Sequence, residues 1–203
     1  MTKIETALIE QIKPLVQSLA TEYARSLGHL RYADIRVEII EGKAAAAENG
    51  SSKYSGEDYG FAFGIRVLAG DRMVGPGYFG RSLGAADLPS LEAILKEGIR
   101  SAYRRALANG EWKAEAKGKF GSLGDALMDT RLHPIEVRQD VVPPEYQIDP
   151  RAVDLGEMVR YTTDISKQVV GADTQLRYNY ISTVTQLARE LFASSEGALI
   201  DQS

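Results

Sequence analysis

Cysteine is absent from the 203-residue chain, and histidine occurs only at His29 and His133. The first absence excludes a disulfide framework, a thiol nucleophile, an iron–sulfur cluster and every cysteine-containing zinc site. The second leaves no paired histidines of the H-E-x-x-H kind, so no self-contained catalytic zinc site is expected. Long apolar runs are missing too. Nothing approaches the roughly eighteen uninterrupted apolar residues that cross a bilayer as a helix, and no secretory signal opens the chain. These absences predict a cytoplasmic protein without a membrane partner. Nor is there a block of Lys and Arg. Twenty-four basic residues face 28 acidic ones, a net charge of -4, so a broad basic face for direct nucleic-acid binding is not expected.

What is present is an ordinary globular balance, 44% apolar and 26% charged, with enough chain for one sizeable core. The order of periods predicts the fold class. Leu8, Ile12, Leu15, Leu19 and Tyr23 recur at threes and fours, so residues 4–27 read as a helix, started or kinked at Pro14 and stopped by Gly28. Residues 32–41 alternate, with Ile35, Val37 and Ile39 on one face. Gly42-Lys43 reads as a turn into a weaker strand, 44–54, that Asn49-Gly50 breaks; 60–68 and 73–81 follow as strands. Short turns between them require antiparallel pairing. Residues 91–108 return to the helical period, with Asn109-Gly110 as the stop, and 111–130 reads as an exposed excursion. Residues 133–142 form an extended piece ended by Pro143-Pro144, Asp149-Pro150 opens a helix to about Val170, and 174–192 is a strand. After a turn at 195–197, Ala198-Leu199-Ile200 starts one more strand. The expectation is a single α+β domain, 1–203, built on a mainly antiparallel sheet with helices packed on it.

Two literal motifs invite chemistry, and both sit in the wrong context. Gly75-Pro76-Gly77-Tyr78-Phe79-Gly80 spells G-x-G-x-x-G, but no helix opens directly after it and Pro76 removes a backbone donor, so a dinucleotide site is rejected. Gly80-Arg81-Ser82-Leu83-Gly84 spells the nucleophile-elbow string, and Asp125 or Asp129 with His133 supplies a Ser–Asp–His order. Residues 85–89 delay the following helix, so Ser82 reads as a turn hydroxyl. His29 and His133 read as loop or edge residues. Glu38, Glu41, Glu48, Glu57 and Asp58 fall on solvated strand faces or loops, and no acid–base pair is nominated. Tyr161, Tyr178 and Tyr180 read either as a contact surface or as cross-strand packing. No catalytic, cofactor-binding or metal-ligating residue is therefore named in this chain.

Four ordered stretches resemble the N-terminal domain of the TldD/PmbA family of metallopeptidases, also called modulators of DNA gyrase. They are Tyr32-Ala33-Asp34-Ile35-Arg36-Val37-Glu38, Glu48-Asn49-Gly50, residues 64–71 (GIRVLAGD) with Gly77-Tyr78-Phe79 after them, and residues 191–198 (LFASSEGA). The resemblance covers nearly all of the chain. It implies one domain of a two-domain protein whose zinc-binding H-E-x-x-x-H helix lies downstream. That motif is absent here, so no catalytic or metal residue carries over and no cofactor is expected in this chain. It further implies a dimer, with a second TldD/PmbA-like subunit or a second copy, and unfolded or modified peptides as substrate. The chain would then be a non-catalytic domain that contributes to the dimer and to the wall of the substrate chamber. A stand-alone binding or assembly module of the same fold, without peptidase activity, is the alternative. Residues 198–200 read as an apolar edge exposed where the chain stops, so self-association as a homodimer is expected, through sheet edges or the apolar surface left by the absent domain.

Overall fold

The computed structural model describes residues 4–127, 136–172 and 175–203. Six strands form one sheet: β1 (Leu30–Glu48), β2 (Ser51–Ala69), β3 (Gly75–Ser82), β4 (Gln139–Val142), β5 (Tyr180–Ser194) and β6 (Leu199–Gln202). Their spatial order is β3-β2-β1-β5-β6-β4. Every pairing is antiparallel except β4 with β6, which is parallel. Among the described residues four α-helices accompany the sheet: α1 (Leu8–Ser18), α2 (Leu91–Phe120), α3 (Ser122–Leu127) and α4 (Leu155–Ala172). The expected α+β class with a mainly antiparallel sheet is what the chain adopts.

β1 is the axis. Its alternating residues Ile35, Val37 and Ile39 are fully buried and share a face with Phe61, Phe63, Ile65 and Val67 of β2 and Leu191 and Ala193 of β5. Onto that face α1 lays Ile9, Ile12 and Val16, and α2 lays Leu91, Leu95, Ile99, Ala102 and Ala106. α4 covers the far end of the same face, where Thr162 bonds Thr183 of β5 at 2.8 Å.

Several sequence expectations need correction. Gly42-Lys43 is no turn: β1 runs straight through it and reverses at Asn49-Gly50, whose φ values of 48° and 79° are those of a two-residue hairpin turn. That turn is bolted down, with the Gly50 N–H donating to Ser166 Oγ (2.8 Å) and the Asn179 N–H to Asn49 Oδ1 (2.9 Å). The first helix starts at Leu8, passes through the exposed Pro14 and continues as tighter and wider turns to Ser26. The left-handed residue beyond it is His29, φ 56°, not Gly28. α2 also runs through Asn109-Gly110, and helix replaces the expected excursion up to Leu127. The reason is tertiary, because Gly110 lets the helix backbone pass Met73, whose carbonyl oxygen would sit 2.4 Å from any Cβ there. Asp149-Pro150 opens only one short turn, and Asp154 caps α4 by accepting from the Glu157 N–H at 2.9 Å. Finally, 198–200 leads into no free edge, because β6 is paired on one side with β5 and on the other with β4. Self-association through that edge has no basis.

Candidate functional site

All the helical packing described above falls on one face of the sheet. Among the described residues no helix packs on the opposite face, called the bare face below, and it reads in rows across β2, β1 and β5. Near the β3 end the rows are polar: Arg66, Asp34 and Ser194, then Gly64, Arg36 and Phe192, then Ala62, Glu38 and Glu190. Past two mixed rows, Gly60, Ile40 and Ala188, then Asp58, Gly42 and Gln186, they become more apolar toward the Asn49-Gly50 turn: Gly56, Ala44 and Val184, then Tyr54, Ala46 and Ser182, with Tyr180 beside Glu48 beyond. Val184 is 66% exposed, and Tyr54 and Tyr180 are exposed by about half. An antiparallel sheet can leave one face to water when that face is polar. Here half of it is not, and contiguous exposed apolar surface marks contact sites.

Glycines flatten the same face. Gly64 and Gly80 lie under the Tyr78 ring, whose hydroxyl would be 2.8 and 2.7 Å from a Cβ at either position, and Gly56 lies under Tyr54 in the same way. The aromatic side chains shield the backbone that those glycines leave open.

The polar end is built around a buried charge. Asp34 is 2% exposed, and its Oδ2 accepts from Arg66 Nε at 2.8 Å and Nη2 at 2.7 Å. Burial opposes the Arg66 charge, but the hydrogen bonds from its guanidinium to Asp34 outweigh it and hold the group protonated. Tyr32 lies beside this pair, 5.7 Å from the Arg66 guanidinium. Burial first, and the Asp34 carboxylate second, push its phenol up to about 12. Arg36 stacks 5.3 Å over Phe192 in the next row. Ser195, in the β5–β6 turn, closes the end: its Oγ accepts from the Ala33 N–H at 2.9 Å and its own N–H donates to the Ala33 carbonyl. The stretches 32–38, 64–71 with 77–79, and 191–198 thus meet at one end of the sheet, and the remaining one, 48–50, forms the hairpin turn at the other.

The two literal motifs dissolve into packing. A Cβ at Gly75 would lie 2.2 Å from the Gly110 nitrogen, and one at Gly77 would lie 1.9 Å from the Ala102 carbonyl oxygen. Those glycines let α2 press on β3, and Gly80 accommodates Tyr78. Ser82 ends an edge strand, and short turns over Ala85–Ser90 follow where an elbow needs a helix. Asp125 pairs with Lys117 at 2.8 Å on the surface, His29 is an exposed loop residue near Asp71, and Asp129 and His133 lie outside the described residues. Tyr180 stands on the bare face, with Tyr161 and Tyr178 also exposed. Among the described residues no three His, Cys, Asp or Glu side chains come together as a metal-binding group. No described helix is long and apolar enough to cross a membrane.

Solved structures carry the same arrangement. TldE from Thermococcus kodakarensis superposes with a TM-score of 0.57 at 14% identity, over 89% of this chain and 35% of that one. A candidate modulator of DNA gyrase from Bacteroides thetaiotaomicron gives 0.59 at 14%, over 96% and 39%, and another from Thermotoga maritima gives 0.52 at 13%, over 95% and 36%. The fold is TldD/PmbA-like. At such identities the likeness is one of fold, and the chain spans little more than a third of the length of these structures. No protein-family model matches the sequence, and no curated protein does. Within the TldD/PmbA-like fold, sequence reading missed Asp34, Arg66 and Tyr78 as site residues. All three lie inside the quoted stretches, but only the sheet register shows that they share a neighbourhood.

Proposed function

We propose that this chain is the non-catalytic N-terminal domain of a TldD/PmbA-like metallopeptidase, working in the cytoplasm. In this reading it contributes to dimer assembly, with a second TldD/PmbA-like subunit or a second copy, and to the wall of a chamber for unfolded or modified peptides. The bare sheet face carries the proposal. Its strands β1 and β2 are 19 residues each, about 60 Å long, and the exposed Tyr54, Tyr180 and Val184 at one end need a partner more than water does. The small coverage of its structural neighbours supports reading the chain as one part of a longer architecture, with zinc held elsewhere in it.

Sedimentation over a range of concentrations tests the assembly half. Association is expected, and Val184→Asp or Tyr54→Asp weakens it while the circular dichroism stays unchanged. A monomer at high micromolar loading, or a dimer indifferent to both changes, overturns the assignment of this face. The coding sequence beyond Ser203 tests the other half. An H-E-x-x-x-H helix there supports the peptidase reading, and a stop codon leaves the stand-alone assembly module.

A further inference from the structure

A cleft of about 530 Å³ opens beside the outer edge of β3, lined by Arg66, Pro76, Tyr78, Arg105, Asn109 and Trp112 among others. Its volume is that of a small-molecule site, roughly 300–1,000 Å³. No carboxylate is among its lining residues. The Arg66 charge is offset by Asp34, whereas Arg105 has no carboxylate partner among the described residues. The cleft therefore carries one uncompensated positive charge. That charge is held in place: Arg105 Nη1 donates to the Tyr78 carbonyl at 2.7 Å, and its guanidinium stands 5.9 Å over the Phe79 ring. Each wall carries an exposed aromatic side chain, Trp112 at 67% exposure from α2 and Tyr78 at 61% from β3. Tyr78 is pinned over Gly64 and Gly80, and Asn109 is pinned by its amide N–H bond to the Pro76 carbonyl at 2.7 Å, which leaves its Oδ1 as an acceptor. Side chains already fixed lose little freedom when a ligand arrives.

We propose that this cleft binds a small aromatic carboxylate. The ring lies between Trp112 and Tyr78, the carboxylate accepts from Arg105 with Arg66 as a second donor, and Asn109 Oδ1 accepts from a ring hydroxyl where there is one. A single positive charge favours a monoanion over a phosphate dianion, and flat walls favour a flat ligand. The proposal does not depend on the assembly role above.

Trp112 is the only tryptophan of the chain, so its emission reports on this cleft. Titration of the full chain with phenylacetate should change that emission saturably, with half-saturation in about the millimolar range. Phenylacetamide, which keeps the ring and loses the charge, and cyclohexylacetate, which keeps the charge and loses the plane, should each bind about tenfold more weakly or worse. Arg105→Gln should weaken phenylacetate about ten- to a hundredfold with unchanged circular dichroism. No saturable change, equal binding of the amide, an unaffected Arg105→Gln variant, or tighter binding of AMP than of phenylacetate each overturns the proposal. The ligand series on the unaltered chain decides even if the variant fails to fold.

Discussion

Gly77→Ala adds one methyl group at the tightest contact between β3 and α2. The new Cβ would lie 1.9 Å from the Ala102 carbonyl oxygen and 2.6 Å from the Ala106 nitrogen. Both are backbone atoms of a helix, so neither can swing away. Ordinary contact requires α2 to withdraw by about 1.5 Å. Withdrawal opens gaps beside Leu95, Ile99 and Ala106, all fully buried, and stretches the Arg105–Tyr78 and Asn109–Pro76 hydrogen bonds. Overpacking of this kind costs about 1–3 kcal/mol, and two loosened bonds add about 1 kcal/mol each, for an expected loss of about 3–5 kcal/mol. Urea unfolding followed by circular dichroism measures it. The internal control is Gly118→Ala on the same helix, where a Cβ meets nothing within 4 Å; it should stabilise by about 0.5–1 kcal/mol through helix propensity. If Gly77→Ala falls within about 0.5 kcal/mol of the unaltered chain, α2 and β3 are not in backbone contact and the packing account of Gly75 and Gly77 fails.

Gly50→Ala forces a side chain into φ +79°, 3.1 Å from Lys167 Cγ, and should cost about 1–3 kcal/mol on the same unfolding curves. Asp201 is almost fully buried and accepts from Lys13 Nζ at 3.1 Å and from Arg189 Nε and Nη2 at 2.8 and 2.7 Å. Burial alone would raise its pKa, but the bonds from Arg189 and Lys13 outweigh it and hold the carboxyl below its ordinary value. A depressed folded pKa means stability that is complete above about pH 4 and lost as pH falls through the folded value. Asp201→Asn should therefore cost about 3 kcal/mol at neutral pH and flatten the acid limb of a stability–pH profile; an unchanged limb counts against the cluster. The carbonyls of Val74, just before edge strand β3, and of Pro76 within it accept from Lys113 Nζ (3.0 Å) and Asn109 Nδ2 (2.7 Å). Removing both donors with Lys113→Ala and Asn109→Ala should make the chain associate or aggregate at lower concentration by light scattering, and unaltered behaviour would show that the edge needs no guard.

The legible parts of the fold were those where a period persists within one element. The alternation at 32–41 and 60–68 and the helical stripe from Leu91 mark real elements because burial on one face imposes that spacing. What failed was punctuation. Gly42 and Gly110 look like stops in isolation, yet Gly42 lies in a strand paired on both sides and Gly110 exists to let Met73 approach. Conversely, Asn49-Gly50 carries the hairpin, although in the sequence alone it reads as a break within a strand. The partner of β6 was beyond reading, since β4 lies more than fifty residues earlier and pairs in parallel, leaving no local trace. The polar end of the bare face was hidden for the same reason: Asp34, Arg66, Tyr78 and Phe192 come from four strands, and nothing in their spacing announces that a register will align them.

The central position of β1 has a consequence for the order in which the domain can form. β1 is made near the start of the chain, but one of its two neighbours, β5, begins at Tyr180. As the chain leaves the ribosome, β1, β2 and β3 can pair as a meander long before β5 exists, while Ile35, Val37 and Ile39 wait on a sheet whose middle strand is still an edge. Contacts this distant in sequence slow folding and prolong exposure of unpaired strands. Closure comes only when residues 180–202 arrive. Amide exchange should show the same division: protection in β2 and β3 established early in refolding, and protection of the β1 amides that face β5 appearing in step with β5 and β6.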